Sequence, residues 1–75
     1  MIINLDKIEA FNLMSRLGMT VENRRFHACA QIGHVHYGYA RYKDYDGSED
    51  AALYMAIIQC ADSYYAKHPE EKPNE

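Results

Sequence analysis

The feature that most constrains the fold is a β-rich run at residues 25–42, RFHACAQIGHVHYGYARY. Apolar and polar side chains alternate along it with period two, which is typical of half-buried strands, and Gly33 supplies a turn residue near its middle. The run therefore predicts an antiparallel β-hairpin with Ile32 and Gly33 in the loop.

This loop position sets the predicted register, which opposes Gln31 to His34. Because successive strand residues point to opposite faces, the register predicts one apolar and one polar face. The predicted core face carries Phe26, Ala28, Ala30, Val35, Tyr37 and Tyr39. The predicted polar face carries Arg25, His27, Cys29, Gln31, His34, His36 and Tyr42.

Helical patterns flank the hairpin on both sides. Apolar residues at helical spacing predict a first helix that ends before Gly18. A second helix is predicted over residues 49–68, with Ser48 as its N-cap and Pro69 as its stop signal. Each helix thus has an apolar stripe that must pack on another element.

The order of these elements predicts an α+β fold: helix, antiparallel hairpin, helix. Residues 19–22 are a candidate third strand at the sheet edge. The expected architecture is a two-layer sandwich with the helices on one face of the sheet. We expect residues 1–68 to form a single domain and residues 69–75 to be a disordered polar tail.

Composition limits the function classes. A chain of 75 residues is close to the lower size limit for an unaided core, so we expect a homodimer. Cys29 and Cys60 are predicted on elements that point them apart, which argues against a disulfide. No apolar stretch reaches bilayer length, and we expect a cytoplasmic protein with no membrane contact.

A metal site is one possible chemistry of the predicted polar face. Imidazole and thiolate groups are zinc ligands, and neighbours across a sheet lie close together. The candidate ligands are His27, Cys29, His34 and His36. Their spacing matches no paired-ligand motif, which argues against a metal site as the leading interpretation. A metal- or nucleotide-binding domain that uses this histidine-rich face is therefore the alternative function and not the first one.

Nucleic-acid binding is a weaker alternative. The cations available to bind phosphates are Arg24, Arg25, Arg41 and Lys43, and bases could stack on Tyr37, Tyr39 or Tyr42. The element order resembles that of double-stranded-RNA-binding domains, but their last helix opens with lysines, whereas here it opens with SEDAAL, which would repel phosphates. A further alternative treats an acidic cluster as a mimic of nucleic-acid phosphates, and its members are Asp44, Asp46, Glu49 and Asp50.

Catalysis has little support in the sequence. The predicted register places Cys29 opposite His36, a thiol beside a base. However, the hairpin holds no carboxylate to orient that base and no glycine-rich loop to bind an oxyanion. We therefore expect a protein that is not an enzyme and uses no cofactor.

The second half of the chain, GHVHYGYARYKDYDGSEDAALYMAIIQCADSYYA, combines an aromatic strand, an acidic capped turn and an alanine-rich helix. In this layout it resembles small two-layer proteins encoded by bacteriophages, including some anti-CRISPR proteins. The resemblance implies a protein that inhibits a host defence protein by occupying its surface.

The sequence thus favours a small binding protein with a host protein as its partner. Aromatic and arginine side chains dominate interface energetics, so we expect the contacts on the polar hairpin face. The predicted contact residues are Arg25, His27, His36, Arg41 and Tyr42.

Overall fold

The computed structural model describes residues 2–71, with side chains from residue 9 onward. The helices and strands are α1 (Ile2–Leu17), β1 (Thr20–Asn23), β2 (His27–Ile32), β3 (His36–Arg41) and α2 (Glu49–Lys67). Short 3₁₀ turns at Tyr42–Tyr45 and Pro69–Glu71 follow β3 and α2. The chain has the predicted α+β fold, and the third strand is confirmed. Residues 72–75 of the predicted tail lie outside the described residues.

Local signals fix the end of α1 and both ends of α2 close to the predicted positions, whereas α1 begins at Ile2, before the Asn4 N-cap that the sequence suggests. Gly18 follows α1 with φ of +64°, a left-handed conformation that glycine adopts without strain. The Ser48 hydroxyl accepts a hydrogen bond from the Ala51 amide at 3.1 Å and so caps the start of α2. At the other end, His68 leaves helical geometry directly before Pro69.

The three strands form an antiparallel sheet in the order β1-β2-β3. α2 lies across β2 and β3, and α1 packs against α2. The centre of the core is built from small side chains of the sheet and of α2, and Ile57 and Cys60 are its largest fully buried residues. The core is therefore thin, and it depends on a close approach between helix and sheet.

The predicted hairpin register is wrong. The loop holds three residues, Gly33 to Val35, and Gln31 lies opposite Tyr37, three residues beyond the predicted His34. An odd shift turns every β3 side chain to the other face of the sheet. The predicted core residues Phe26, Val35, Tyr37 and Tyr39 are all exposed, whereas His36, Gly38 and Ala40 are buried under α2.

Gly38 gives the physical reason for this register. A Cβ atom at Gly38 would lie 1.8 Å from the backbone oxygen of Ala56 on α2. Only glycine leaves room for the helix at this depth, so the face of β3 that carries tyrosines cannot be the one that packs on α2.

Side chains of α2 also satisfy backbone groups of β3. The Tyr39 amide donates to the Gln59 side-chain oxygen at 3.1 Å, and the Cys60 thiol donates to the His36 carbonyl at 3.4 Å. β3 is an edge strand, and unpaired backbone groups at an edge attract strands of other chains. α2 therefore shields part of this edge.

Candidate binding face

The strand pairing defines two surfaces of the sheet, because residues directly opposite each other point to the same side. The covered face lies on the side of the helix layer and consists of Val21, Asn23, Ala28, Ala30, Ile32, His36, Gly38 and Ala40. The open face lies on the other side and consists of Thr20, Glu22, His27, Cys29, Gln31, Tyr37, Tyr39 and Arg41. The open face is the candidate site.

Two tyrosines of β3 dominate the open face. Tyr37 is 54% exposed and Tyr39 is 51% exposed. The Tyr37 hydroxyl donates to the His34 carbonyl at 2.9 Å, and the Tyr39 ring lies 4.4 Å from the His27 ring between centroids. These contacts hold both rings in place while leaving about half of each in water, so a partner would meet preorganised aromatic surface.

The cations around the open face are mostly paired. Arg41 Nε lies 3.3 Å from an Asp44 oxygen, and Arg24 lies 3.2 Å from Glu22, whose charge raises the pKa of Arg24. Such exposed pairs contribute little to stability. The Arg25 guanidinium lies 5.3 Å from the centre of the Phe26 ring, a cation–π distance.

A groove of about 450 Å³ adjoins the end of the sheet where β2 begins and β3 ends. Its lining is mainly apolar and includes the Phe26 and Tyr42 rings, with Arg41 and Lys43 beside them. Phe26 is 70% exposed. The groove lies at this end of the sheet and shares Arg41 with the open face.

The predicted contact residues do not share one surface. His27 and Arg41 belong to the open face, and Arg25 is exposed beside it. His36 points to the covered face and is 7% exposed, so the prediction that it shares a face with His27 is wrong. The cause is the shifted register described above.

Tyr42 lies where β3 ends and the 3₁₀ turn Tyr42–Tyr45 begins. Its hydroxyl donates to the Arg24 carbonyl at 2.6 Å and accepts from the Asn23 amide group at 3.2 Å. Its backbone amide donates to the Phe26 carbonyl at 3.1 Å. Tyr42 therefore ties the β1–β2 turn to the end of β3, and its ring also lines the groove.

The four predicted zinc ligands are separated. His27 and Cys29 lie on the open face, His34 lies in the hairpin loop, and His36 lies on the covered face. Within the described residues, the side chains that come close enough to hold a metal ion are His68, Glu70 and Glu71, at the end of α2. A metal centre on the hairpin is therefore not supported.

The Cys–His pair considered for catalysis is not formed either. Cys29 lies opposite Tyr39, and the His36 ring instead meets the Ser63 hydroxyl at 3.2 Å through Nδ1. Burial raises the pKa of the other thiol, Cys60, to about 11, so it is protonated at neutral pH. Among the described residues, no histidine side chain is hydrogen-bonded to either thiol.

The predicted register placed Tyr37, Tyr39 and Phe26 on the core face, whereas the structure exposes them. The available signal was the alternation of Tyr37 and Tyr39 with Gly38 and Ala40. Small residues on one face of a strand indicate close backbone packing, which would have assigned that face to the helix.

No helix among the described residues has the length and apolar character to cross a membrane. Comparisons with protein-family models, with curated proteins and with solved structures found no significant match to this chain.

Proposed function

We propose that this chain is a small non-enzymatic binding protein that docks its open face on a host protein and blocks the surface it covers. The observation that carries the proposal is the pair of exposed, fixed rings of Tyr37 and Tyr39 on one flat surface. Tyrosine buries a large area at an interface and loses little conformational entropy on binding.

The surroundings of these rings fit the same role. Arg25 and Arg41 stand at one end of the open face, beside the groove that Phe26 lines. An aromatic centre with arginines at its border is the composition that interface hot spots favour. The expected partner surface is apolar at its centre and acidic where it meets the arginines.

The phage-protein resemblance supplies the partner class in this proposal, a host defence protein that is inhibited in the cytoplasm of the host cell. The absence of a Cys–His pair within the described residues fits a role in binding over one in chemistry. A second copy of the chain is a competing occupant of the open face, because we also expect a homodimer.

The test is affinity capture from host lysate with the wild-type chain and with an Arg25→Ala/Tyr37→Ala/Tyr39→Ala variant. A matched control carries Arg16→Ala and Asp62→Ala, two exposed residues on the helices. We expect one protein to be captured in defined stoichiometry by the wild type and the control, and to be lost with the triple variant. Thermal unfolding should show that the triple variant stays folded.

Three outcomes would overturn the proposal. The triple variant could retain the partner, which would place the contact elsewhere. Nuclease treatment could release the captured material, which would identify nucleic acid as the ligand. Native mass spectrometry could show that the triple variant converts a dimer into a monomer, which would make the open face a self-association surface.

A further inference from the structure

The end of α2 gathers three side chains that ligate metals. His68 Nδ1 lies 3.9 Å from a carboxylate oxygen of Glu70 and 3.9 Å from one of Glu71. One ligand atom from each residue lies within 4.8 Å of the others. These three residues directly follow α2 in the sequence, and none of them belongs to the open face.

Local sequence explains why the three side chains converge. Pro69 ends α2, and the chain then folds into the Pro69–Glu71 turn, in which the Glu71 amide donates to the His68 carbonyl at 3.0 Å. The turn brings both glutamates back toward the imidazole. A continued helix would have kept His68 and Glu71 on one face but turned Glu70 away from them.

Tyr64 holds one of the carboxylates in position. Its hydroxyl donates to Glu71 Oε1 at 2.6 Å, while Glu71 Oε2 is the atom that faces His68. The Tyr64 ring also lies against the His68 ring, with centroids 4.5 Å apart. Carboxylates that bind metals are commonly oriented by such a hydrogen bond to their second oxygen.

A second, buried imidazole borders the same group. The His36 ring lies 6.2 Å from the His68 ring and 5.4 Å from the Tyr64 ring between centroids. His36 is only 7% exposed, and its Nδ1 atom meets the Ser63 hydroxyl. The group therefore has a protein wall on one side and solvent on the other.

We propose that His68, Glu70 and Glu71 form a binding site for a divalent transition-metal ion of the Zn²⁺ type. Imidazole nitrogen and carboxylate oxygen are both zinc ligands, and three protein ligands leave a fourth position for water or another group. The two carboxylates balance the charge of the ion. Imidazole favours zinc-type ions over Mg²⁺, which prefers oxygen ligands alone.

To bind zinc, the three ligand atoms, which lie within 4.8 Å of one another, would have to move closer together. Tetrahedral zinc with bonds of about 2.0–2.2 Å places its ligand atoms roughly 3.4 Å apart. The side chains of Glu70 and Glu71 are 70% and 47% exposed, so they have room to close this difference by rotation.

The test is calorimetric titration of the full chain with Zn²⁺ at neutral pH, after chelator treatment and dialysis. We expect one ion per chain, and a weakening of binding by at least about tenfold in His68→Ala and in Glu71→Gln. Tyr64→Phe should weaken binding by about tenfold through loss of the orienting hydrogen bond. Mg²⁺ should bind far more weakly than Zn²⁺.

A His27→Ala/Cys29→Ser variant is the matched control, because it removes an imidazole and a thiol from the open face. It should bind Zn²⁺ like the wild type, and Zn²⁺ should raise its melting temperature but not that of His68→Ala. Unchanged binding in His68→Ala, loss of binding in the control, or equal affinity for Mg²⁺ would each overturn the proposal.

Discussion

The two faces of the sheet are built from the same strands but differ in almost every respect. The covered face has alanine and glycine at its centre, and helix α2 comes close enough there to touch the sheet backbone. The open face carries the large rings of His27, Tyr37 and Tyr39. In this chain, small residues therefore mark the side that packs against the helix, and bulky aromatic residues mark the exposed side, which is the proposed binding face.

The contrast between the covered face and the open face is tested most strongly at Gly38. Gly38→Ala would place a methyl group against the Ala56 carbonyl, so α2 would have to move away from the sheet. We expect a loss of at least about 3 kcal/mol in the free energy of unfolding, a large part of the total for a domain of this size. Urea denaturation followed by circular dichroism measures it.

Gly33→Ala is the matched control for this prediction. Nothing lies within 4 Å of the position where its Cβ would be, but φ is +60°, so the cost is conformational and about 1 kcal/mol. If Gly38→Ala costs no more than this control, α2 does not approach the sheet as closely as described.

The sequence was sufficient to predict the elements but not their pairing. Ser48, Gly18 and Pro69 act through the backbone of their own neighbours, so the helix boundaries could be read locally. The α+β class followed from the order of these elements. The third strand followed from an extended pattern beside the hairpin, and it lies one residue later than predicted.

The register could not be predicted in the same way, because it depends on contacts distant in sequence. Two-residue and three-residue loops both suit Gly33, and they assign opposite faces to β3. The register is selected by the close contact of the Ala56 and Cys60 backbone with Gly38. The candidate site inherited this error, so His36 was placed on the wrong side and Tyr37 was placed in the core.

The second prediction concerns the helix that covers the sheet. Ile57 is fully buried, whereas its neighbour Ile58 is half-buried. Ile57→Ala should lower the free energy of unfolding by about 3 kcal/mol because it leaves a cavity in a thin core. Ile58→Ala is the control and should cost about 1 kcal/mol. Equal losses at both positions would mean that the helix is rotated from the described orientation.

The third prediction compares the two cysteines. Cys60 is buried with its pKa raised to about 11, so few molecules carry its thiolate at about pH 8, whereas Cys29 lies on the open face. Iodoacetamide should alkylate Cys29 at least about 100-fold faster than Cys60, and mass spectrometry of digested peptides reports both rates. The difference should vanish in denaturant. Comparable rates in the native protein would show that the covered face opens readily.

The smallest expected effect belongs to the open face itself. His27 and Tyr39 are diagonal neighbours whose rings are in contact, so a double-mutant cycle with alanine should give a coupling of about 0.5–1 kcal/mol. The same cycle for His27 and Tyr37 is the control and should give a coupling near zero, because additivity holds for residues that do not touch. A His27–Tyr39 coupling well above 2 kcal/mol would mean that these rings help to hold the fold together. The division between a stabilising face and a binding face would then fail, since removing the rings could no longer separate loss of a partner from loss of structure.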